Sequence, residues 1–446
     1  MEYPNSKLTR KIRMAILLFY IVLFLVLCPI IILYARGYRY DWQYGFPKRT
    51  GAISVNVEPA DTRVFLNNVE AKRSLNEEEV RLTSVPPGKY TVKITKSGYY
   101  DWIKDVEVKE MQTVYIKEII LMKKNDPVIL DKGSVSTVVI SPNNKYLAYA
   151  KNSGVNSQIW LKNLKDDSTQ LILDFKDTSI KLVWDDNGEY LAISNARAPH
   201  NSLVVVPIEN SDKKFDLVKL IKYPIDKFQW KKAIEPELFF STKLKIMSLA
   251  PNTRRISTLS KNNFLDWSLE NGQIWALIKS TSSAKIEVIK DILGFKDTFY
   301  TLDGHPSGDN KQKLNINLAV RDNVLLSYPG GQTISLLRRN KNFVFGGQQT
   351  LISPYNNWWL IWSPWELWGY VENEEPILLN RAGEQLRNVL PMDKYNALAL
   401  VWADNVSILY PYYLVTHNFI NSPIIDATVD TKNRIFYFSG NLNGQS

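Results

Sequence analysis

The residues that could do chemistry in this chain are few and scattered. Ser282, Ser283, Ala284 and Lys285 stand at the Ser-x-x-Lys spacing, at which a lysine amine can activate a serine hydroxyl. They fall in a polar turn between strand-like runs, without the companion motifs such a site needs, and read as turn residues. Asp185-Asp186-Asn187-Gly188 has the oxygen-rich look of a calcium loop. Ser141-Pro142-Asn143-Asn144 and Asp430-Thr431-Lys432-Asn433 occupy the same place in related segments, which points to hairpin turns instead. His200, His305 and His417 lie far apart, a poor supply for a metal cluster or an acid–base pair, and each reads as an ordinary loop or surface histidine. No Gly-x-Ser-x-Gly, His-Glu-x-x-His or phosphate-cradling Gly-Lys-Ser run occurs. The richest feature is aromatic: Trp358, Trp359, Trp362, Trp365 and Trp368. Indole faces stack on sugar rings and prolines and recur at interfaces, so these five are the candidate ligand contacts. The competing reading is core, because alternate residues of a strand face opposite sides and both sides can be packed. No catalytic residue, cofactor-binding residue or metal ligand is assigned, and no cofactor is expected.

The elements around these residues begin with residues 14–34, MAILLFYIVLFLVLCPIIILY, which carry no charge. Such a run as a helix is about 31 Å long, the thickness of a hydrocarbon core. It is longer than the apolar stretch of a signal peptide and lacks a small-x-small site after it. Leu25-Val26-Leu27-Cys28 resembles a lipoprotein box, but Leu27 is not the small residue such boxes carry and Pro29 follows, so Cys28 reads as a cysteine in an apolar helix. Lys7, Arg10, Lys11 and Arg13 precede the span and Arg36, Arg39, Lys48 and Arg49 follow it. The counts tie. The upstream charges sit closest, while Tyr34, Tyr38, Tyr40, Trp42 and Tyr44 dilute the downstream ones in the manner of an interfacial belt, favouring a cytoplasmic N-terminus and an extracytoplasmic body.

Cys28 is the sole cysteine, so the body has neither a disulfide nor a thiolate metal site. The net charge is +10, with most of it on the body. That charge suits anionic envelope polymers or lipid head groups; without a dense Lys/Arg run it reads as a dispersed, solvated surface and not as a nucleic-acid stripe. A hydrophobic content of 45% with 12% aromatics is enough for large cores and excludes a disordered stalk.

Residues 51–122 read as short strands. Ile53, Val55 and Val57 alternate with Ser54, Asn56 and Glu58; Tyr90, Val92 and Ile94 alternate with Thr91, Lys93 and Thr95. Pro86-Pro87-Gly88 and Ser97-Gly98 supply turns. The alternation predicts two small antiparallel sheets packed face to face. The segments Gly51-Ala52-Ile53-Ser54-Val55, Glu58-Pro59-Ala60, Val64-Phe65-Leu66, Pro87-Gly88-Lys89-Tyr90-Thr91-Val92 and Lys96-Ser97-Gly98-Tyr99 together resemble a PEGA domain, a small β-sandwich of envelope proteins. Two positions depart from the family: Pro59-Ala60-Asp61-Thr62 replaces Pro-x-Gly-Ala, and Asn67-Asn68 replaces the Asp-Gly turn while still allowing positive φ. The resemblance implies an envelope-exposed spacer or binding module without catalytic residues.

From Val135 onward a unit repeats. Val138-Val139-Ile140-Ser141-Pro142-Asn143-Asn144-Lys145-Tyr146-Leu147-Ala148-Tyr149 parallels Leu182-Val183-Trp184-Asp185-Asp186-Asn187-Gly188-Glu189-Tyr190-Leu191-Ala192-Ile193. The anchors Ile140, Trp184, Trp230 and Trp267 lie 37–46 residues apart, with later ones near Val320, Ile352, Leu390 and Val429. Third strands (Ile159-Trp160-Leu161) and fourth strands (Leu171-Ile172-Leu173) complete four-stranded units, which arranged radially give a β-propeller of seven or eight blades. This half is similar to bacterial propellers with a Trp/Ser-Pro-Asp-Gly-x-x-Leu-Ala hairpin. The last hairpin is either closed by an early strand such as Pro127-Val128-Ile129-Leu130 or left cut short.

The expected organisation is mainly β: a cytoplasmic arm (1–13), one transmembrane helix (14–34), an aromatic and basic linker (35–50), a PEGA-like β-sandwich (51–124) and a seven- or eight-bladed β-propeller (125–446). The expected role is non-catalytic: a single-pass, extracytoplasmic binding or scaffolding protein of the cell envelope. Its partners would be the membrane through 14–34 and envelope proteins or anionic cell-wall polymers, not nucleic acid. Two other classes make different demands. A hydrolase or lyase needs carboxylates or a Tyr/Lys set converging on the propeller channel. A sensor or assembly component acting through the span needs that particular span.

Overall fold

A computed structural model describes residues 10–36, 38–41, 46–71, 79–243, 245–261, 264–270, 272–279, 286–290, 292–293, 297–302, 315–320, 323–327, 333–338, 342–346, 349–352, 358–371, 374–395 and 397–440. The chain divides into two units, Met1–Val128 and Ile129–Ser446.

The first unit opens with the helix Arg10–Ala35, whose 26 residues include Pro29 and bury none of their side chains. At about 1.5 Å per residue it is about 39 Å long, and it is apolar enough to cross a bilayer. The expected linker contains a short hairpin: Tyr38–Asp41 pairs antiparallel with Phe46–Arg49, and Arg49 Nε donates to Tyr38 Oη at 2.6 Å.

Two sheets follow. One orders Glu79–Val85, Gly51–Glu58 and Thr113–Ile120; the other orders Val69–Glu70, Arg63–Leu66, Gly88–Thr95 and Trp102–Val108. Ile53, Val55, Val92, Ile94, Trp102, Ile116 and Ile119 form the core that the alternation predicts. One expectation is corrected: Gly51–Glu58 and Thr113–Ile120 pair parallel, so the first sheet is mixed. These are the first and last strands of the sandwich, and the strands between them supply the crossover that parallel pairing requires. Gly51 permits the approach, since a Cβ there would lie 2.5 Å from the Lys109 carbonyl oxygen. Asn67 and Asn68 have φ of 47° and 66°, joining Leu66 to Val69 through the positive-φ turn expected of them. Tyr90 Oη donates to the Pro86 carbonyl at 2.8 Å, pinning the Pro-Gly-x-Tyr hairpin.

The second unit is a β-propeller. Among the described residues, seven successive four-stranded antiparallel sheets each keep sequence order from the inner strand outward, and a two-stranded hairpin takes an eighth position. The inner strands are Val135–Ile140, Ile180–Trp184, Lys227–Lys231, Phe264–Glu270, Asn315–Val320, Gln349–Ile352, Leu386–Pro391 and Ile424–Asp430. Buried side chains pack between successive blades. Ile159, Leu161, Trp184, Leu191 and Ile193 lie between blades 1 and 2, and Val205, Phe228, Trp230 and Leu238 between blades 2 and 3.

Of the two alternatives for the last hairpin, closure by an early strand over 127–130 is not the one found. Residues 127–130 belong to no strand, and Val128, Ile129 and Leu130 are exposed. Pro127 has no N–H to give a ladder, and Asp131 clamps the chain to the second strand of blade 1 by accepting from Tyr149 Oη and pairing with Lys151 Nζ at 2.7 Å. The ring closes instead by side chains of blade 8 on the backbone of blade 1: Val138 N–H donates to Asp426 Oδ2 (2.9 Å) and Ile140 N–H to Thr428 Oγ1 (3.3 Å).

Register corrects one anchor. Trp184 pairs with Leu191 and Trp230 with Leu238 near the hairpin end of their strands, but in blade 4 Leu269 takes that slot, opposite Ile274. Trp267 sits two residues earlier, buried, its indole nitrogen without a hydrogen-bond partner.

Candidate functional site

The sequence-predicted residues that the structure describes do not converge. Ser282–Lys285 and His305 lie outside the described residues. Asp185 is buried and its carboxylate accepts the N–H groups of Glu189 (2.7 Å), Tyr190 (2.6 Å) and Asn187 (3.1 Å), which folds its own hairpin turn. Burial nevertheless raises its pKa against those bonds. Ser141 Oγ accepts from Tyr146 N–H (2.9 Å) and Asp430 Oδ1 from Asn433 N–H (2.8 Å), so the turn reading holds at all three positions. His200 is not a surface residue: it is buried edge-on to Phe228, with Nδ1 at 2.9 Å from the Asn195 carbonyl oxygen, and burial lowers its pKa. His417 lies on the outer strand of blade 7, its ring 5.7 Å from that of Tyr410.

Four of the five tryptophans split between the two faces of blade 6. Trp358 and Trp362 pack with Leu386, Leu398 and Trp402 of blade 7; Trp359 packs with Leu325 and Phe345 of blade 5. Trp358, Trp359 and Trp362 are 6%, 2% and 4% exposed, while Trp365 is 55% exposed at the turn. Trp368 is half-buried and donates to Glu366 Oε2 at 3.1 Å. They make no common aromatic surface, because both faces of a blade are core.

Polar chemistry collects on the inner strands. Lys181, Lys227, Asp266 and Asp426 are equivalent, standing three residues before Trp184, Trp230, Leu269 and Val429 respectively. An inner strand has a free edge of N–H and C=O groups that must find partners, and these side chains supply them. Asp266 pairs with Lys227 Nζ (3.0 Å) and accepts Ile316 N–H (2.8 Å), and Lys227 also donates to the Ile316 carbonyl (3.2 Å), joining blades 3, 4 and 5. Gln229 clasps Leu269 of blade 4 through both its C=O (2.8 Å) and N–H (3.0 Å). The indole N–H groups of Trp184 and Trp230 donate backward to Val139 and Val183 carbonyls at 3.4 and 3.1 Å. Lys181 reaches solvent yet is surrounded by protein, with its ammonium 4.9 Å from the Phe228 ring centre. Desolvation, and secondly the charge of Lys227, lower its pKa. Asp266 and Asp426 are thus engaged in joints between blades.

A concave site lies elsewhere, where the first hairpin turns of blades 7, 8 and 1 meet. The cleft is about 600 Å³ and is lined by Lys394, Lys432, Arg434, Ile140, Pro142 and Val429, with Ser141, Asn144 and Thr431 completing it. Asp393 and Asp430 are adjacent in sequence but buried, facing their own loops. Asp393 Oδ1 accepts from Tyr395 N–H (2.8 Å) and Ala397 N–H (3.0 Å), and Asp430 Oδ2 from Asn433 Nδ2 (2.7 Å). The lining therefore presents three cations and no carboxylate. A second concavity, about 490 Å³ in the PEGA-like unit, has Asp61, Arg63 and Glu70 among its lining, and Arg63 and Glu70 pair with each other. The cationic cleft is invisible to motif reading, because its charges come from turns remote in sequence. The only sequence signal was that Lys394, Lys432 and Arg434 follow equivalent inner strands.

Residues 50–123 match the PEGA domain. No curated protein matches the chain. Among solved structures, the C-terminal WD40 domain of Sif2 is similar with a TM-score of 0.47 and 12% identity, covering 70% of this chain and 94% of that one. The Dos1 propeller gives 0.43 and 12%, over 67% and 88%. The Cps50 (Swd1) β-propeller domain of Myceliophteria thermophila gives 0.40 and 8%, over 70% and 96%.

Proposed function

We propose that this chain is a membrane-anchored binding or scaffolding protein of the cell envelope, its N-terminal arm cytoplasmic and its β units extracytoplasmic, working without catalysis. The observation that carries the reading is the helix Arg10–Ala35, which is of bilayer length and buries no side chain against the rest of the protein. An exposed apolar helix of this size needs a lipid solvent. A tether confines the propeller to a thin layer beside the membrane and raises its effective concentration for neighbouring ligands. The PEGA match supports an envelope location. The basic cleft supports a binding role, and the engagement of Asp266 and Asp426 in ring joints supports a non-catalytic one.

The test is membrane fractionation followed by protease treatment of intact cells. The full chain should sediment with membranes, resist carbonate extraction and lose its β units to external protease. Recovery in the soluble fraction, or protection of the β units in intact cells with cleavage only after lysis, would overturn the reading. Replacing residues 14–34 by an unrelated apolar helix should leave ligand binding unchanged, as a passive tether requires.

A further inference from the structure

We propose that the outer edge of blade 8 takes in an extended segment of another protein, which adds as a third strand of that blade. The proposal rests on the binding role argued above and names its class of partner. Among the described residues blade 8 has two strands, Ile424–Asp430 and Ile435–Gly440, where each of the other seven blades has four. Burial shows the consequence. In blades 1 to 7 every second strand carries a block of at least four consecutive buried residues. In blade 8 only Ser439 of Ile435–Gly440 is buried, and Phe436, Tyr437 and Phe438 stay half-buried. A strand paired along one edge turns alternate N–H and C=O groups outward, with no ladder to join.

Both walls beside that edge are apolar. Phe436 and Phe438 share one face of the strand, and Phe436 meets Phe419 on the outer strand of blade 7 with 5.8 Å between ring centres. Tyr437 points the other way, into the cluster that includes Trp160 of blade 1. Leu171 is the cross-strand partner of Trp160, so it lies on the same face, and it is 39% exposed. The third strands of other blades define what such a position accepts. Leu203–Pro207 (LVVVP), Ile286–Lys290 (IEVIK) and Val406–Tyr410 (VSILY) each bury at least three of their five residues. The partner segment is therefore about five residues long and apolar on both faces, held by main-chain bonds to the edge and by side chains against the two walls. A second copy cannot bring its own edge there. Each edge is recessed by two strands, roughly 10 Å, between four-stranded neighbours, so two rims in contact leave the edges about 19 Å apart against the ~4.8 Å of a ladder. Residues 127–130 offer only Val128, Ile129 and Leu130 as donors, between Pro127 and the clamped Asp131. Residues 441–446, NLNGQS, carry one apolar side chain.

The probe is a fluorescently labelled peptide of the blade 4 third strand, KIEVIKD, residues 285–291. The full-length chain in neutral detergent is titrated into it and followed by anisotropy, and hydrogen exchange read by mass spectrometry locates it. The peptide should bind and slow exchange across residues 435–440 about tenfold, leaving blades 1 to 7 unchanged. N-methylation of every second peptide amide should abolish binding in one phase and spare it in the other, because only alternate residues face the edge. Leu171→Glu sets a charge in the apolar wall and should weaken binding about tenfold at an unchanged melting temperature. Ile234→Glu, at a position 95% exposed on blade 3, should change neither. Truncation after Gly440 should leave binding as it is; a large gain would assign the edge to residues 441–446 and overturn the proposal. No binding, protection away from residues 435–440, equal tolerance of both N-methylation phases, full binding by L171E, or a dimer of the free chain that L171E dissociates would each overturn it as well. All these readouts use the purified chain. Loss of this site therefore leaves the anchored scaffold standing, and a soluble or inverted chain would leave this site standing.

Discussion

The joint made by Lys227, Asp266 and Ile316 should dominate the stability of the middle blades. Asp266 is buried, with only 10% of its side chain accessible, and it accepts from both the Lys227 ammonium and the Ile316 amide. Asp266→Ala strands a cation and an N–H together. Removing one partner of a buried pair costs about 3–5 kcal/mol. Lys227 keeps 32% of its side chain accessible, so water recovers part of its solvation and the lower end, about 3 kcal/mol, applies. The second unit spans Ile129–Ser446. With an unfolding entropy of about 2.1 cal/mol/K per residue over roughly 320 residues, that loss lowers the melting temperature by about 4 °C. Lys227→Met leaves Asp266 charged with only the Ile316 amide, and should cost about 2 kcal/mol. The double variant removes both charges and should recover about half of the summed loss. Calorimetry of the full chain in neutral detergent, completed as a double-mutant cycle, measures the coupling. The pair is mostly out of solvent, so raising salt should change it little. Losses that simply add, or single variants that melt within a degree of the parent, would refute the reasoning that this pair fastens blades 3, 4 and 5.

Three further predictions follow from burial. Trp359→Ala should cost about 3–5 kcal/mol, because it empties the face of blade 6 packed on blade 5, whereas Trp365→Ala at the exposed turn should stay within about 0.5 kcal/mol; equal melting temperatures would sink the two-faced account of that blade. Burial raises the Asp426 pKa above 3.8 despite the bonds from Val138 and Ala427. The native state therefore binds its proton more readily than the unfolded one, and stability falls as pH rises from 3.8 to the raised value; Asp426→Asn, which keeps an acceptor for Val138, should flatten that limb of a pH–melting curve. Burial lowers the His200 pKa below 6.5, so its contribution is complete above 6.5 and is lost as pH falls from there to the folded value; a His200→Gln variant that retains the same acid slope would contradict this.

What could be read from residue order was what is local. The helix needs only an uncharged run, the Asn67–Asn68 turn only two residues tolerant of positive φ, and the blade hairpins only alternation followed by a capping Ser or Asp such as Ser141 and Asp185. What escaped was set by contacts between remote segments. The parallel pairing of Gly51–Glu58 with Thr113–Ile120 has no local signature. Trp267 looked like Trp184 and Trp230, yet its strand is shifted by two residues against the hairpin end, and a shift of two keeps the same face, so alternation could not reveal it. The dense aromatic run left a surface and a core reading open, since density on a strand serves two packed faces, and Trp358, Trp359 and Trp362 are core.

The cationic cleft is the sharpest case, since it exists only by closure. Lys394 follows the inner strand of blade 7, Lys432 and Arg434 that of blade 8, and Ile140 ends that of blade 1. The bonds that bring blade 8 to blade 1, from Val138 to Asp426 and from Ile140 to Thr428, lie on the same strands that end in the cleft. Ile140 is both a donor in that seam and part of the cleft floor. Loosening the seam therefore displaces the floor against the cations before any blade has to unfold, since each four-stranded blade keeps its own ladders. Stability of the ring and shape of the site are in this sense one property, held by a few side-chain acceptors on an edge that no third strand covers among the described residues.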